Sequence, residues 1–180
     1  MHRPTPFCFF DREALMDVKS VAVLPFHNYS KRVGAGVIMT NMIMAEILQH
    51  KKFYVIKYGD VRSFFLRRRI TSIPTIDIET LRSLREEFRV DAVIIGSILE
   101  YEDGDKPVGT GRDKKDTISR LTISARILDT RTGRILGNGE FAEKGTAAGY
   151  LLTNKESEIA FSLAQKVAKR LISKIVADEV

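Results

Sequence analysis

One cysteine, Cys8, is all that a chain of 180 residues contains. An internal disulfide is therefore excluded. The fold must be held by its core, which suits a reducing cytosol or an envelope protein large enough to need no staple. Tryptophan is absent and aromatic residues make up only 8%, so packing falls to aliphatic side chains. No apolar run approaches the roughly 20 residues of a membrane-spanning helix. The opening stretch, Met1 to Cys8, lacks the apolar centre of a secretory signal. Histidine is equally scarce: His2, His27 and His50 fall in a tail, a loop and a helix end, and no spacing brings them together with carboxylates as a metal site requires. No metal, cofactor or catalytic site is expected. Internal repeats and low-complexity tracts are also missing.

What is present is a 44% apolar composition, which suits one compact domain with a real core. The net charge is +6, but 23 acids are mixed among 29 bases, so most of the charge reads as solvated surface. Two nearly continuous apolar, β-branched runs dominate the pattern, Val18 to Phe26 and Val90 to Leu99. Such runs fit strands covered on both faces, and the helical spacing between them makes them parallel neighbours through a right-handed crossover. Pro25, which has no N–H for a ladder, ends the first run.

Between these strands His27 to Arg32 reads as a polar loop leading into a helix from Gly34 to Gln49, apolar on almost every face. A helix of that kind is buried on two sides or half-covered by another subunit. Its Met39, Met42 and Met44 read as adaptable core filler. Phe53 to Tyr58 reads as a short strand, and Asp60 as the cap of a brief helix ending at Arg67, Arg68 and Arg69. Asp77 caps a further helix whose Ile78, Leu81, Leu84 and Phe88 share one face.

After Val90 to Leu99, the Gly-rich and charged stretch Tyr101 to Thr117 reads as a loop. Ile118 to Asp129 alternates with Leu121, Ile123, Ala125 and Ile127 inward, and Arg134 to Lys144 returns antiparallel after a turn at Asp129 to Gly133. Thr153 and Glu156 have capping-box spacing before a helix striped by Ile159, Ala160, Leu163, Val167, Leu171 and Ile175. The expected architecture is an α/β domain over residues 18–178, preceded by an N-terminal extension, residues 1–17. Its sheet is mixed, of about five strands in the order β-α-β-α-β-β-β-α, with helices packed on it, similar to an anticodon-binding domain.

No motif carries chemistry. Gly34-Ala-Gly36 lies too far beyond the strand end and lacks the third glycine of a dinucleotide loop, and Gly109 to Asp113 lacks the ending of a phosphate cradle. Cys8 and His27 have no third group to orient them as a nucleophile pair, and Glu100, Glu102 and Asp103 read as solvated acids. Phe64 and Phe65 beside Arg67 to Arg69 could stack bases or meet lipid headgroups, but the simpler reading puts the rings in the core and the arginines in water.

The order Val21-Ala-Val-Leu-Pro-Phe26 with Asn28 and Ser30, an apolar helix, Val90-Asp-Ala-Val-Ile-Ile-Gly96, then Ala125 to Leu136 resembles the periplasmic lipoprotein superfamily that includes the curli secretion channel (CsgG), the Pel export lipoprotein (PelC), the penicillin-binding-protein activator lipoproteins and the TolB amino-terminal domain. The resemblance covers roughly residues 18 to 176. It implies an α/β sandwich, the periplasm or outer membrane as location, a lipid anchor on residues upstream of Met1, and non-enzymatic work by self-association or by docking to an export or cell-wall machine. Pore-forming relatives insert amphipathic hairpins, and Tyr101 to Thr117 is too charged to supply one. Surface loops on a rigid sheet carry most binding, so the expected contact residues are Asn28, Tyr29 and Ser30, Val37 and Met44 of the apolar helix, and Asp103, Asp105, Arg112 and Lys114. The alternative is an RNA-binding domain of anticodon-binding type, with the positive charge serving phosphates.

Overall fold

The computed structural model describes residues 8–71, 73–102, 118–146 and 155–176. They form β1 (Cys8–Phe10), α1 (Arg12–Met16), β2 (Ser20–Val23), β3 (His27–Asn28), α2 (Ala35–His50), β4 (Tyr54–Val55), α3 (Tyr58–Arg67), α4 (Ile78–Phe88), β5 (Ala92–Glu102), β6 (Ile118–Asp129), β7 (Ile135–Thr146) and α5 (Lys155–Val176). One mixed sheet runs in the order β1-β7-β6-β5-β2-β4, with β3 also paired to β5. The two apolar runs are parallel neighbours, Val21 beside Ala92 and Val23 beside Ile94, as their composition predicts.

The alternation of each strand sorts its side chains between two cores. Val21, Val23, Ala92, Ile94, Leu121, Ile123 and Phe141 meet α1, α2 and α5 on one face. Ala22, Leu24, Val93, Ile95 and Leu128 meet α3 and α4 on the other. The stripe on α5 is buried as expected from Leu163 to Ile175. Asp77 caps α4 by accepting the Thr80 backbone N–H at 2.7 Å, and Gly133 closes the β6–β7 turn at φ 72°. The capping pair Thr153 and Glu156 lies outside what is described of side chains.

Several elements differ from the sequence pattern. The sheet has seven strands, because two very short ones escape any periodicity. His27–Asn28, expected in a loop, pairs with Ser97 and Ile98 as β3. Cys8–Phe10, expected in an extension, pairs with Gly137 to Gly139 as β1. It is fastened there by the ring of Phe10 over Gly137 and by the Arg134–Asp11 ion pair. The strand after α2 is only Tyr54–Val55, since Tyr58 already starts α3. That earlier start puts Asp60 inside the first turn of α3, with Lys57 in the cap position, so Asp60 is not the cap. Strand β5 continues through Tyr101 and Glu102 into the stretch read as loop.

A polar lock fixes the foot of β2 against β5. Asp91 accepts the backbone N–H groups of Lys19 and Ser20 at 3.1 Å and the Ser20 hydroxyl at 3.0 Å, and it pairs with Arg85 at 3.2 Å. Burial pushes the Asp91 carboxyl up, but those donors from Lys19, Ser20 and Arg85 outweigh it and hold the group below its usual value of 3.8. A carboxyl lowered in the folded state stabilises fully above its unfolded pKa, and the contribution is lost as pH falls through the lower folded pKa. Asp91→Asn is expected to cost about 1–3 kcal/mol at neutral pH and to flatten the loss of stability below about pH 3.8. Urea melts across that range compare the two proteins; an unchanged acid slope would show the lock contributes nothing.

Candidate contact face

The bend between β2 and β3 builds this region. Pro25 interrupts the ladder, and the freed Phe26 N–H donates to the Thr40 hydroxyl of α2 at 3.0 Å, while that hydroxyl donates to the Gly36 carbonyl at 2.8 Å. The Phe26 ring lies over Gly96 of β5 and its carbonyl lies against Gly36; a β-carbon at either glycine would collide with it. The start of α2 is thereby held against the bend.

The residues that follow form a built turn. The Asn28 side chain donates to the Arg32 carbonyl at 2.7 Å and accepts from the Ser30 backbone N–H at 3.0 Å and the Ser30 hydroxyl at 2.6 Å. The Arg32 guanidinium lies 4.8 Å from the Tyr101 ring centre. This scaffold holds Tyr29 exposed with its ring 4.4 Å from that of His27. Beyond it Val33 is 94% and Val37 55% exposed.

Helix α2 has two flanks. Ala35, Ile38 and Met39 line a small apolar recess with Ala164 of α5 and Leu121 of β6. Val37, Met44 and Leu48, seven and four residues apart, stand on the flank away from α5. Val37 and Leu48 are exposed, whereas Met44 is half-buried against the core. Asn28, Tyr29, Ser30 and Val37 are thus brought together at one corner, Met44 lies two turns further along, and Asp103, Asp105, Arg112 and Lys114 lie outside the described residues. The sequence pattern did not single out Val33, in the turn before α2, or Tyr54, on the terminal strand β4; which flank of α2 is left uncovered depends on how the helix meets the sheet and α5, which one helix cannot reveal.

The remaining candidates resolve into structure. Phe64 and Phe65 are buried, Arg67 pairs with Glu87, and Arg68 stacks 4.7 Å from the Phe64 ring centre. Glu100 meets Arg120 at 3.4 Å and Thr122 at 3.2 Å. Cys8 and His27 sit on strands β1 and β3, separated by β5, β6 and β7. Among the described residues, no group of three or more His, Cys, Asp or Glu could hold a metal ion, and no helix is long and apolar enough to cross a membrane.

A mixed sheet carrying helices on both faces, with a hydrogen-bonded loop and an exposed apolar helix flank at one corner, defines an open-sheet α/β domain. The chain belongs to the family described as curli production assembly/transport component CsgG, whose match spans residues 16–174. Solved structures share its fold. Lipoprotein GNA1162 from Neisseria meningitidis is 23% identical, covering 86% of this chain and 99% of its own, with a TM-score of 0.58. A PelC dodecamer from Paraburkholderia phytofirmans is 13% identical over 97% of this chain and 99% of its own, with a TM-score of 0.64. Hypothetical protein CT253 from Chlamydia trachomatis is 14% identical over 87% and 95%, with a TM-score of 0.57. No curated protein matches the chain.

Because Asn28 joins three segments of the turn, Asn28→Ala is expected to loosen it locally: amide exchange at Ser30 and Arg32 should accelerate at least tenfold, the counterpart of about 1.4 kcal/mol, with little change at β5. Hydrogen exchange followed by NMR measures both.

Proposed function

We propose that this protein is a non-enzymatic cell-envelope subunit, anchored as a lipoprotein in its full form at the periplasmic side of the outer membrane, that self-associates or docks to an export or cell-wall assembly machine. The observation that carries the reading is the family match over residues 16–174, to proteins described as assembly and transport components. Likeness in fold to a structure named as a lipoprotein and to one named as a dodecamer supports anchoring and self-association.

The contact face is the corner built by Asn28, Tyr29 and Ser30 with the α2 flank bearing Val37 and Met44. Physically it has what an interface core needs: exposed aliphatic and aromatic side chains on a support too well hydrogen-bonded to lose much entropy on binding. The RNA-binding alternative gains no observation, since the aromatic residues it would stack are core and the adjoining Arg67 and Arg68 are engaged.

Light scattering on the purified protein tests self-association, with a mass above the monomer expected as concentration rises. Val37→Glu should return the mass toward the monomer while leaving stability within about 0.5 kcal/mol, as for an exposed site. Retention of the wild-type mass by Val37→Glu would place the contact elsewhere.

A further inference from the structure

From Val61 to Ile76 the chain carries four arginines and no acid. Helix α3 supplies Arg62 and Arg67, and its ending sets out Arg68 and Arg69. Val61, Phe64 and Phe65 turn inward to the core shared with α4, so helical spacing puts Arg62 and Leu66, one turn apart, on the outer side. Leu66 is 67% exposed. The helix closes with the Arg69 N–H donating to the Leu66 carbonyl at 3.2 Å and the Ile70 N–H donating to the Phe65 carbonyl at 3.1 Å. Arg69 takes the left-handed position, φ 54°, that glycine usually fills, and it is exposed.

The four guanidinium groups are not equivalent. Arg67 pairs with Glu87 of α4, and Arg68 lies over the Phe64 ring while donating to the Ser83 hydroxyl at 3.2 Å. Those contacts hold two of the cations in place. Arg62 and Arg69 have no hydrogen bond or ion pair among the described residues. An aliphatic side chain is thus left in water among exposed cations. A protein interface has the opposite make-up, apolar at its centre and poor in charge there. Single-stranded nucleic acid requires rings on which bases stack, and here Phe64 and Phe65 are buried. Cations level with one aliphatic side chain match a bilayer surface, where guanidinium groups meet phosphates and the side chain reaches the acyl boundary.

We propose that the outer side of α3, bearing Arg62, Leu66 and Arg69, docks on an anionic phospholipid surface. The inference stands apart from the self-association and the lipid anchor proposed above, since it needs neither a second copy nor an acyl chain. Arg67 and Arg68 add to the positive field from fixed positions, while Arg62 and Arg69 are free to bond phosphate. Each arginine near such a surface contributes about fivefold to binding, and salt weakens that contribution by screening.

Sedimentation of the full chain, made without an acyl anchor, together with vesicles tests this. Binding is expected to vesicles of mixed phosphatidylglycerol and phosphatidylcholine, falling as salt rises, and not to phosphatidylcholine alone. Arg62→Gln with Arg69→Gln should lose about thirtyfold, with the thermal melt unchanged because both residues are exposed. Lys166→Gln with Lys169→Gln removes the same charge from exposed positions of α5, on the other face of the sheet, and should change binding less than about threefold. Leu66→Gln, at constant charge, should weaken binding severalfold. Equal losses in the two double variants, no loss with Leu66→Gln, or a wild-type protein that ignores both kinds of vesicle would overturn the lipid contact. So would a single-stranded RNA oligonucleotide that displaces the protein from the vesicles and still holds it at a salt concentration that ends vesicle binding.

Discussion

Phe26 is the residue on which the arrangement turns. Its ring fills the space above Gly96, its carbonyl presses on Gly36, and its N–H is satisfied by Thr40 from inside α2. Three requirements converge at one residue: no β-carbon on β5, none on the first turn of α2, and a hydroxyl one turn later. A β-carbon at either glycine would force overpacking, which commonly costs about 1–3 kcal/mol and shifts backbone. Thr40 also removes the penalty of burying an unpaired amide at the bend. The ladder can therefore break at Pro25 and resume as β3 without exposing polar backbone to the core.

That clamp connects packing to the proposed contact face. With α2 fixed at its beginning by the bend and covered along one side by α5, its other flank is left at the β4 end of the sheet. The Asn28 turn is short because the strand it follows and the helix it precedes are already in place, and its hydrogen bonds keep Tyr29 outward. An exposed apolar row on a helix so firmly seated is not a sign of poor folding; it is the surface on which the proposed contact rests.

How much of this the sequence carries depends on length of pattern. Val18 to Phe26, Val90 to Leu99 and Leu121 to Ile127 each repeat their signal often enough to fix a strand and its face, and Asp77 states its cap in one residue. β1, β3 and β4 hold two or three residues each, fewer than a full period-two repeat can distinguish, so their pairing is decided by what lies opposite. Phe10 needs Gly137, and His27 needs Ser97, and neither partner is visible locally. The corner at Asn28 to Ser30 was legible as a polar loop with turn-forming side chains. The exposure of Val33, Leu48 and Tyr54 was not, because residue type does not say which neighbour fails to cover it.

The short terminal strands also limit what the edges of the sheet can do. An open sheet presents unpaired backbone groups at both ends, and long flat edges invite indiscriminate strand addition. Here the terminal strands have three and two residues, too few for main-chain pairing to supply much affinity. Arg170 reaches from α5 to the Ala142 carbonyl of β7 at 2.8 Å and to Glu143 at 2.7 Å, holding side-chain cover along that strand beyond β1. The self-association proposed above would then have to be carried by side chains, which discriminate through shape and charge, where a backbone edge discriminates poorly.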